Sequence, residues 1–211
     1  MHSDDFSFAP VRSQVPGVAW PPVATGPAAT LAALLDELDR SQWLDPATIR
    51  DRQFRQLAAL AGHCAVHSPH FARRLSDAGL TPAELATPAG FARLPPLRRR
   101  DVQEAEDLFC GEVPPDHAPV HEVYTSGSTG EPVHVRRTAV NQLLWLGHMV
   151  RDELWHRRDL TARRCAIRAT AQKVVHFKSW GGIVGDLFET GEVLVIPSAS
   201  TACRRAGMGR W

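Results

Sequence analysis

An α/β fold is predicted from three observations. Apolar residues recur at helical spacing from Leu31 onward, behind caps that use proline. Short apolar runs set off by glycine, proline and hydroxyl residues begin at Val120, and from there such runs alternate with helical stretches. That alternation predicts a mostly parallel sheet, with a helical region leading into it. The 211-residue chain is 44% apolar and carries 24 basic against 23 acidic side chains, a net charge of +1. Such a composition builds a core, and the balanced charge excludes a bulk electrostatic nucleic-acid binder. The length suits one domain, or one plus an incomplete second.

Residues 1–29 hold Pro10, Pro16, Pro21, Pro22 and Pro27 without a sustained period, which predicts a flexible or extended lead. Leu31, Leu34, Leu35 and Leu38 then line one face of a short helix. Asp45-Pro46 is an N-cap with proline at the first helical position, opening a helix through Ile49, Phe54, Leu57 and Leu60. Ser68-Pro69 repeats the device for a helix with Phe71 and Leu75 inward that ends at Gly79. Thr81-Pro82-Ala83-Glu84 is a capping box, and Leu94-Pro95-Pro96-Leu97 is an extended connector.

Strands are predicted at Val120–Tyr124 and Val133–Val135, around the turn TSGSTG. Thr138 caps a helix containing Leu143, Leu144, Leu146, Met149, Val150, Leu154 and Trp155. Cys165–Arg168 and Val174–Phe177 follow as short strands, Gly181–Phe188 as a helix and Val193–Pro197 as a buried strand. Cys64, Cys110, Cys165 and Cys203 are far apart with no CxxC, so the sequence shows neither a zinc knuckle nor a redox pair. The acidic start lacks the apolar segment of a secretory signal, and no stretch reaches the length of a membrane span. A cytoplasmic protein with neither nucleic acid nor membrane as partner is expected.

The chemically informative segment is Tyr124-Thr125-Ser126-Gly127-Ser128-Thr129-Gly130-Glu131-Pro132. Glycines let the backbone turn and approach a ligand closely, while the hydroxyls of Thr125, Ser126, Ser128 and Thr129 add donors beside the backbone N–H groups. Together they make a cradle for phosphate oxygens. A plain hairpin turn is the alternative for such a cluster. Walker A is absent, because Glu131 and not lysine follows Gly130.

YTSGSTGEP resembles the phosphate-binding signature of the adenylate-forming superfamily, which includes acyl- and aryl-CoA ligases. The stretches QFRQLAALAGHCAVHSPHFARRLSDAGL, FARLPPLRRRDV, SWGGIVGDLF and VLVIPSAS resemble the phenylacetate-CoA ligase branch and its members grouped with capsule-biosynthesis proteins. The likeness covers about residues 50 to 200. It implies part of the large mixed sheet of such an enzyme. It also implies a two-step activity, in which a small-molecule carboxylic acid attacks the α-phosphorus of ATP, with Mg²⁺ present, and a thiol, usually that of coenzyme A, then displaces AMP. Thr125, Ser126, Gly127, Ser128, Thr129 and Gly130 would hold the β- and γ-phosphates.

The chain departs from that pattern in two places. Val133 and His134 stand where many members have lysine and glycine, with Arg136 or Arg137 as candidate substitutes for the missing cation, although an exposed structural role is the default for both. The family's magnesium, ribose and catalytic-lysine motifs have no counterpart, and the tail 201–211 resembles no family segment. Residues 30–200 are therefore expected to be a truncated N-terminal domain without the C-terminal mobile domain, inactive in complete ligation and without an assigned catalytic or metal-binding residue. The 24 basic residues include two lysines, Lys173 and Lys178, and neither is placed to serve as the catalytic one. A noncatalytic nucleotide- or phosphate-binding module is the alternative, and an unfinished sheet leaves room for oligomerisation.

Other constellations carry less. His63 and His67 share a helix face, but no third ligand follows at metal-site spacing. A Ser-His-Asp hydrolase would need a G-x-S-x-G elbow, which is absent. Trp145 and Trp155 are assigned to core packing, Trp180 to a pocket wall or the core, and Arg98-Arg99-Arg100 to a solvated surface.

Overall fold

Local chain chemistry sets most of the helix ends in the computed structural model, which describes residues 9–105, 107–124, 132–168, 171 and 173–197. The architecture is mixed α/β. The chain divides into two units, Arg40–Gln142 and the described parts of residues 1–39 with 143–211.

In the unit Arg40–Gln142, helix α2 (Pro46–His67) starts where Asp45 Oδ1 accepts the Thr48 N–H at 2.9 Å. Helix α3 (Pro69–Asp77) starts where Ser68 Oγ accepts the Phe71 N–H at 3.3 Å. It ends in a Schellman motif: Gly79 has φ +59°, its N–H donates to Ser76 O, and the Leu80 N–H donates to Leu75 O. Thr81 and Glu84 form the reciprocal capping box of α4 (Pro82–Leu85). Two short helices were not legible in the sequence, α5 (Pro88–Arg93) and α6 (Arg99–Glu104), on either side of the proline connector. Ala61, Leu75, Leu80 and Leu85 form the buried centre, with Phe71 and Leu94 packed on it. After a 3₁₀ turn (Pro115–His117), β1 (Val120–Tyr124) and β2 (His134–Thr138) pair antiparallel.

The second unit is built on α1 (Gly26–Ser41), most of α7 (Ala139–Trp155), β3 (Arg164–Arg168), β4 (Val175–Phe177), α8 (Gly182–Leu187) and β5 (Val193–Pro197). Ala9, Leu31, Val150, Leu160, Val184, Leu187 and Phe188 form its core. Within the lead, α1 already begins at Gly26, and the described residues before it are tied to this unit from Ala9 onward. Val11 bridges Phe188, Arg12 N–H donates to Leu187 O at 2.9 Å, and Glu189 N–H donates to Pro10 O at 2.8 Å. Its backbone groups find partners on the C-terminal end of α8, so proline-rich composition did not mean freedom. The tail 201–211 lies outside the described residues.

The expected mostly parallel sheet is corrected. Among the described residues the strands form a two-stranded sheet, β1-β2, and a three-stranded sheet in the order β3-β5-β4. Of the pairings, β3 with β5 is parallel, while β4 with β5 and β1 with β2 are antiparallel. Alternation alone cannot tell these apart. A parallel pair needs a crossover of a dozen or so residues. The link from Tyr124 to His134 is shorter than that, whereas the stretch from β3 to β5 contains β4 and α8 and is long enough.

Helix α7 corrects the core role given to two tryptophans, because Trp145 and Trp155 are 52% and 50% exposed. Its buried stripe is Gly147, Val150 and Glu153. Each tryptophan lies five residues from Val150, or about 140° around the helix. The cap assigned to Thr138 is present, its Oγ1 accepting the Asn141 N–H at 3.1 Å.

Candidate functional site

Thr125, Ser126, Gly127, Ser128, Thr129 and Gly130 lie outside the described residues, and the site is built from the strands that hold them. Antiparallel register pairs Val120 with Thr138, Glu122 with Arg136 and Tyr124 with His134. The last pair closes the ladder on the loop side, so both ends of the segment 125–133 leave from adjacent strand termini.

His134 and Tyr124 stack across that end, with ring centroids 4.6 Å apart and planes 10° from parallel. The Phe109 ring meets His134 edge-on at 4.9 Å. His134 Nε2 is buried 3.4 Å from Glu122 Oε2, without the geometry of a hydrogen bond. Behind it, Arg136 Nε lies 3.6 Å from Glu122 Oε1, its guanidinium sits 5.3 Å over Phe109, and Nη1 donates to the Cys110 carbonyl at 3.5 Å. Arg137 Nη1 donates to Gln142 Oε1 at 2.6 Å. Both arginines weighed as substitutes for a phosphate-facing lysine thus have partners within their own strands and neighbours. The histidine nearest the loop, His134, stands at the end of the ladder from which the segment 125–133 leaves.

Two basic side chains, His134 and Arg136, stand around the single carboxylate of Glu122, while Arg137, the next residue along β2, is bonded to Gln142 instead. Among the described residues no group of three or more His, Cys, Asp or Glu could hold a metal ion. Mg²⁺ characteristically keeps several waters and is carried by substrate phosphates with few carboxylates, so a nucleotide could bring it to this loop. His63 and His67 sit with ring centroids 4.4 Å apart, and His67 Nδ1 is 3.7 Å from Glu112.

In the other unit, an open cleft of about 370 Å³ is walled by Leu146, Met149, Ala166, Phe177, Trp180 and Val195, with Arg164 and Arg168 on its lining. The Arg164 guanidinium stacks 3.9 Å from the Trp180 ring centre. Trp180 N–H donates to Thr190 Oγ1 at 3.1 Å, while its indole Nε1 is buried without a protein partner. Apolar walls, a stacked guanidinium and an orphan donor are a combination that can take an apolar molecule bearing an acceptor or an anionic group. Lys173 and Lys178 stand on either side of β4.

Compared with known proteins, the chain matches no family model and no curated sequence. The fold and site define a mixed α/β protein with a hairpin that carries a hydroxyl- and glycine-rich loop. No helix among the described residues is long and apolar enough to cross a membrane.

Proposed function

We propose that the chain binds the phosphates of ATP at Thr125–Gly130 and belongs with the ATP-dependent carboxylate–CoA ligase-like proteins of the adenylate-forming superfamily, in the phenylacetate-CoA ligase branch. The observation that carries this reading is the run YTSGSTGEP in the connection between β1 and β2, next to the Tyr124–His134 pair that closes their ladder. A run of glycine and hydroxyl residues offers backbone N–H and side-chain O–H donors, which is what a phosphate cradle needs. In such a protein ATP and Mg²⁺ supply the activated phosphorus, a small carboxylic acid is the nucleophile and coenzyme A the acceptor. The chain's own contribution is to orient the leaving pyrophosphate and offset its charge.

The second reading, a nucleotide- or phosphate-binding module without turnover, is favoured by the engagement of Arg136 and Arg137 elsewhere. Calorimetry with ATP and with pyrophosphate separates specific binding from none. Loss of binding in Thr129→Ala and Gly127→Ala is expected, and equal affinity in wild type and both variants would refute the loop assignment. ATP–pyrophosphate exchange with a panel of aryl and acyl acids then separates the two readings. Acid-dependent exchange favours the ligase, and loop-dependent binding without it favours the module.

A further inference from the structure

The cysteines lack any paired motif in the sequence, yet the fold brings two of them together across a separation of 46 residues. The Sγ atoms of Cys64 and Cys110 lie 3.9 Å apart, and both are half-buried free thiols. Cys64 stands in the last turn of α2, whereas Cys110 belongs to the irregular segment between α6 and the 3₁₀ turn.

That segment is held against the α2–α3 junction on both sides of Cys110. Arg73 grips Asp107 through two bonds of 2.6 and 2.8 Å, Ser68 Oγ donates to Leu108 O at 3.0 Å, and Gly111 N–H donates to His67 O at 2.8 Å. The backbones carrying the thiols are therefore already registered. Closing to a bond length of about 2.05 Å needs a shift of roughly 2 Å, which the irregular segment can absorb without unwinding a helix.

We propose that Cys64 and Cys110 form an oxidation-sensitive dithiol that closes reversibly to a disulfide, clasping the segment that leads into β1 onto the end of α2. With hydrogen peroxide as oxidant, the thiolate of Cys110 attacks a peroxide oxygen. The O–O bond breaks, the departing hydroxide takes the proton released by the thiol, and a sulfenic acid remains. Cys64 sulfur then attacks the sulfenic sulfur: the S–S bond forms, the S–O bond breaks, and hydroxide leaves with the Cys64 proton as water. Two thiols are oxidised to one disulfide and one peroxide is reduced to two waters. Burial, and next the neighbouring Cys110, push the Cys64 thiol up to about 11, which disfavours Cys64 as the thiol that attacks peroxide first. A thiol reductant reverses the closure.

The clasp bears on the hairpin because Arg136 of β2 donates to the Cys110 carbonyl. The test uses the full chain, fully reduced and then treated with stoichiometric hydrogen peroxide. Intact mass is expected to fall by two hydrogens, and non-reducing peptide mapping to join the peptides of Cys64 and Cys110. The product should melt at least about 5 °C higher than the reduced protein. A Cys165→Ser/Cys203→Ser variant should keep the cross-link, while Cys64→Ser and Cys110→Ser should each abolish it. A bond to Cys165 or Cys203, products that stop at sulfinic acid on either thiol, or the same mass change in Cys64→Ser would overturn the proposal.

Discussion

Glu153 of α7, only 4% exposed, forms an ion pair with Arg164 at the start of β3. Arg158 Nη1 reaches the other carboxylate oxygen at 2.9 Å, and Arg164 stacks on Trp180. A buried carboxylate is tolerated only when such partners replace water. Glu153→Gln keeps the shape but takes the paired carboxylate from Arg164, while Arg158 retains Asp152 at 3.4 Å. Because Arg164 is partly exposed, a loss of about 2–3 kcal/mol is expected, below the range for a fully buried pair. Urea unfolding checks it, and Arg164→Met should cost less when combined with Glu153→Gln than it does in the wild type.

Close approach distinguishes two glycines. A methyl group at Gly90 would fall on the Glu84 backbone carbonyl, which cannot move without dismantling the α4–α5 turn. At Gly147 the obstacle is the end of the Leu34 side chain, which can change rotamer. Alanine also gains roughly 1 kcal/mol of helix propensity over glycine inside α7. Gly90→Ala should therefore destabilise by about 2 kcal/mol or more, while Gly147→Ala stays within about 1 kcal/mol of wild type. Thermal melts of the two variants should rank them in that order.

Acid should loosen the helix starts and two ion pairs together. Hydrogen bonds hold several carboxyls below their ordinary values: Asp45 through the Thr48 hydroxyl and then its N–H, Glu84 through the Thr81 N–H and then its hydroxyl, and Asp107 through Arg73. Glu192 is lowered chiefly by its hydrogen bond with His176. Each contributes stability above its unfolded value near 4 that is lost as pH falls through the lower folded value. The melting temperature should fall progressively below about pH 4. Asp45→Asn, which retains an oxygen acceptor, should weaken the acid dependence while keeping much of the cap.

Arg136 discriminates between holding the hairpin and holding phosphate. It bridges Glu122, Phe109 and the Cys110 carbonyl within its own unit. Arg136→Ala is expected to cost about 1 kcal/mol of stability. Its effect on ATP affinity should be smaller than that of Gly127→Ala; calorimetry on the folded variants measures the difference. A larger affinity loss in Arg136→Ala would assign the phosphate-facing cation to Arg136.

Helix starts were the most legible features because their information is local. Asp45, Ser68 and Thr81 each act on an N–H three residues away, and proline presets the backbone beside them. The strands around the loop were legible too, although β2 runs on to Thr138. The candidate loop was recognisable from glycine and hydroxyl spacing alone, whereas His134, Glu122 and Phe109 at its base were not. Two of these share a face only through cross-strand register, and Phe109 arrives from outside the hairpin.

Local sequence set the helix boundaries at the caps and the α/β composition, since each depends on neighbours within a few positions. Only the tertiary structure decided that the strands pair mostly antiparallel, that Glu153 is buried and Trp155 is not, and that Cys64 faces Cys110. Those outcomes depend on which distant segments compete for the same partners and the same buried space, and a periodicity of 2 or 3.6 residues carries no record of that competition.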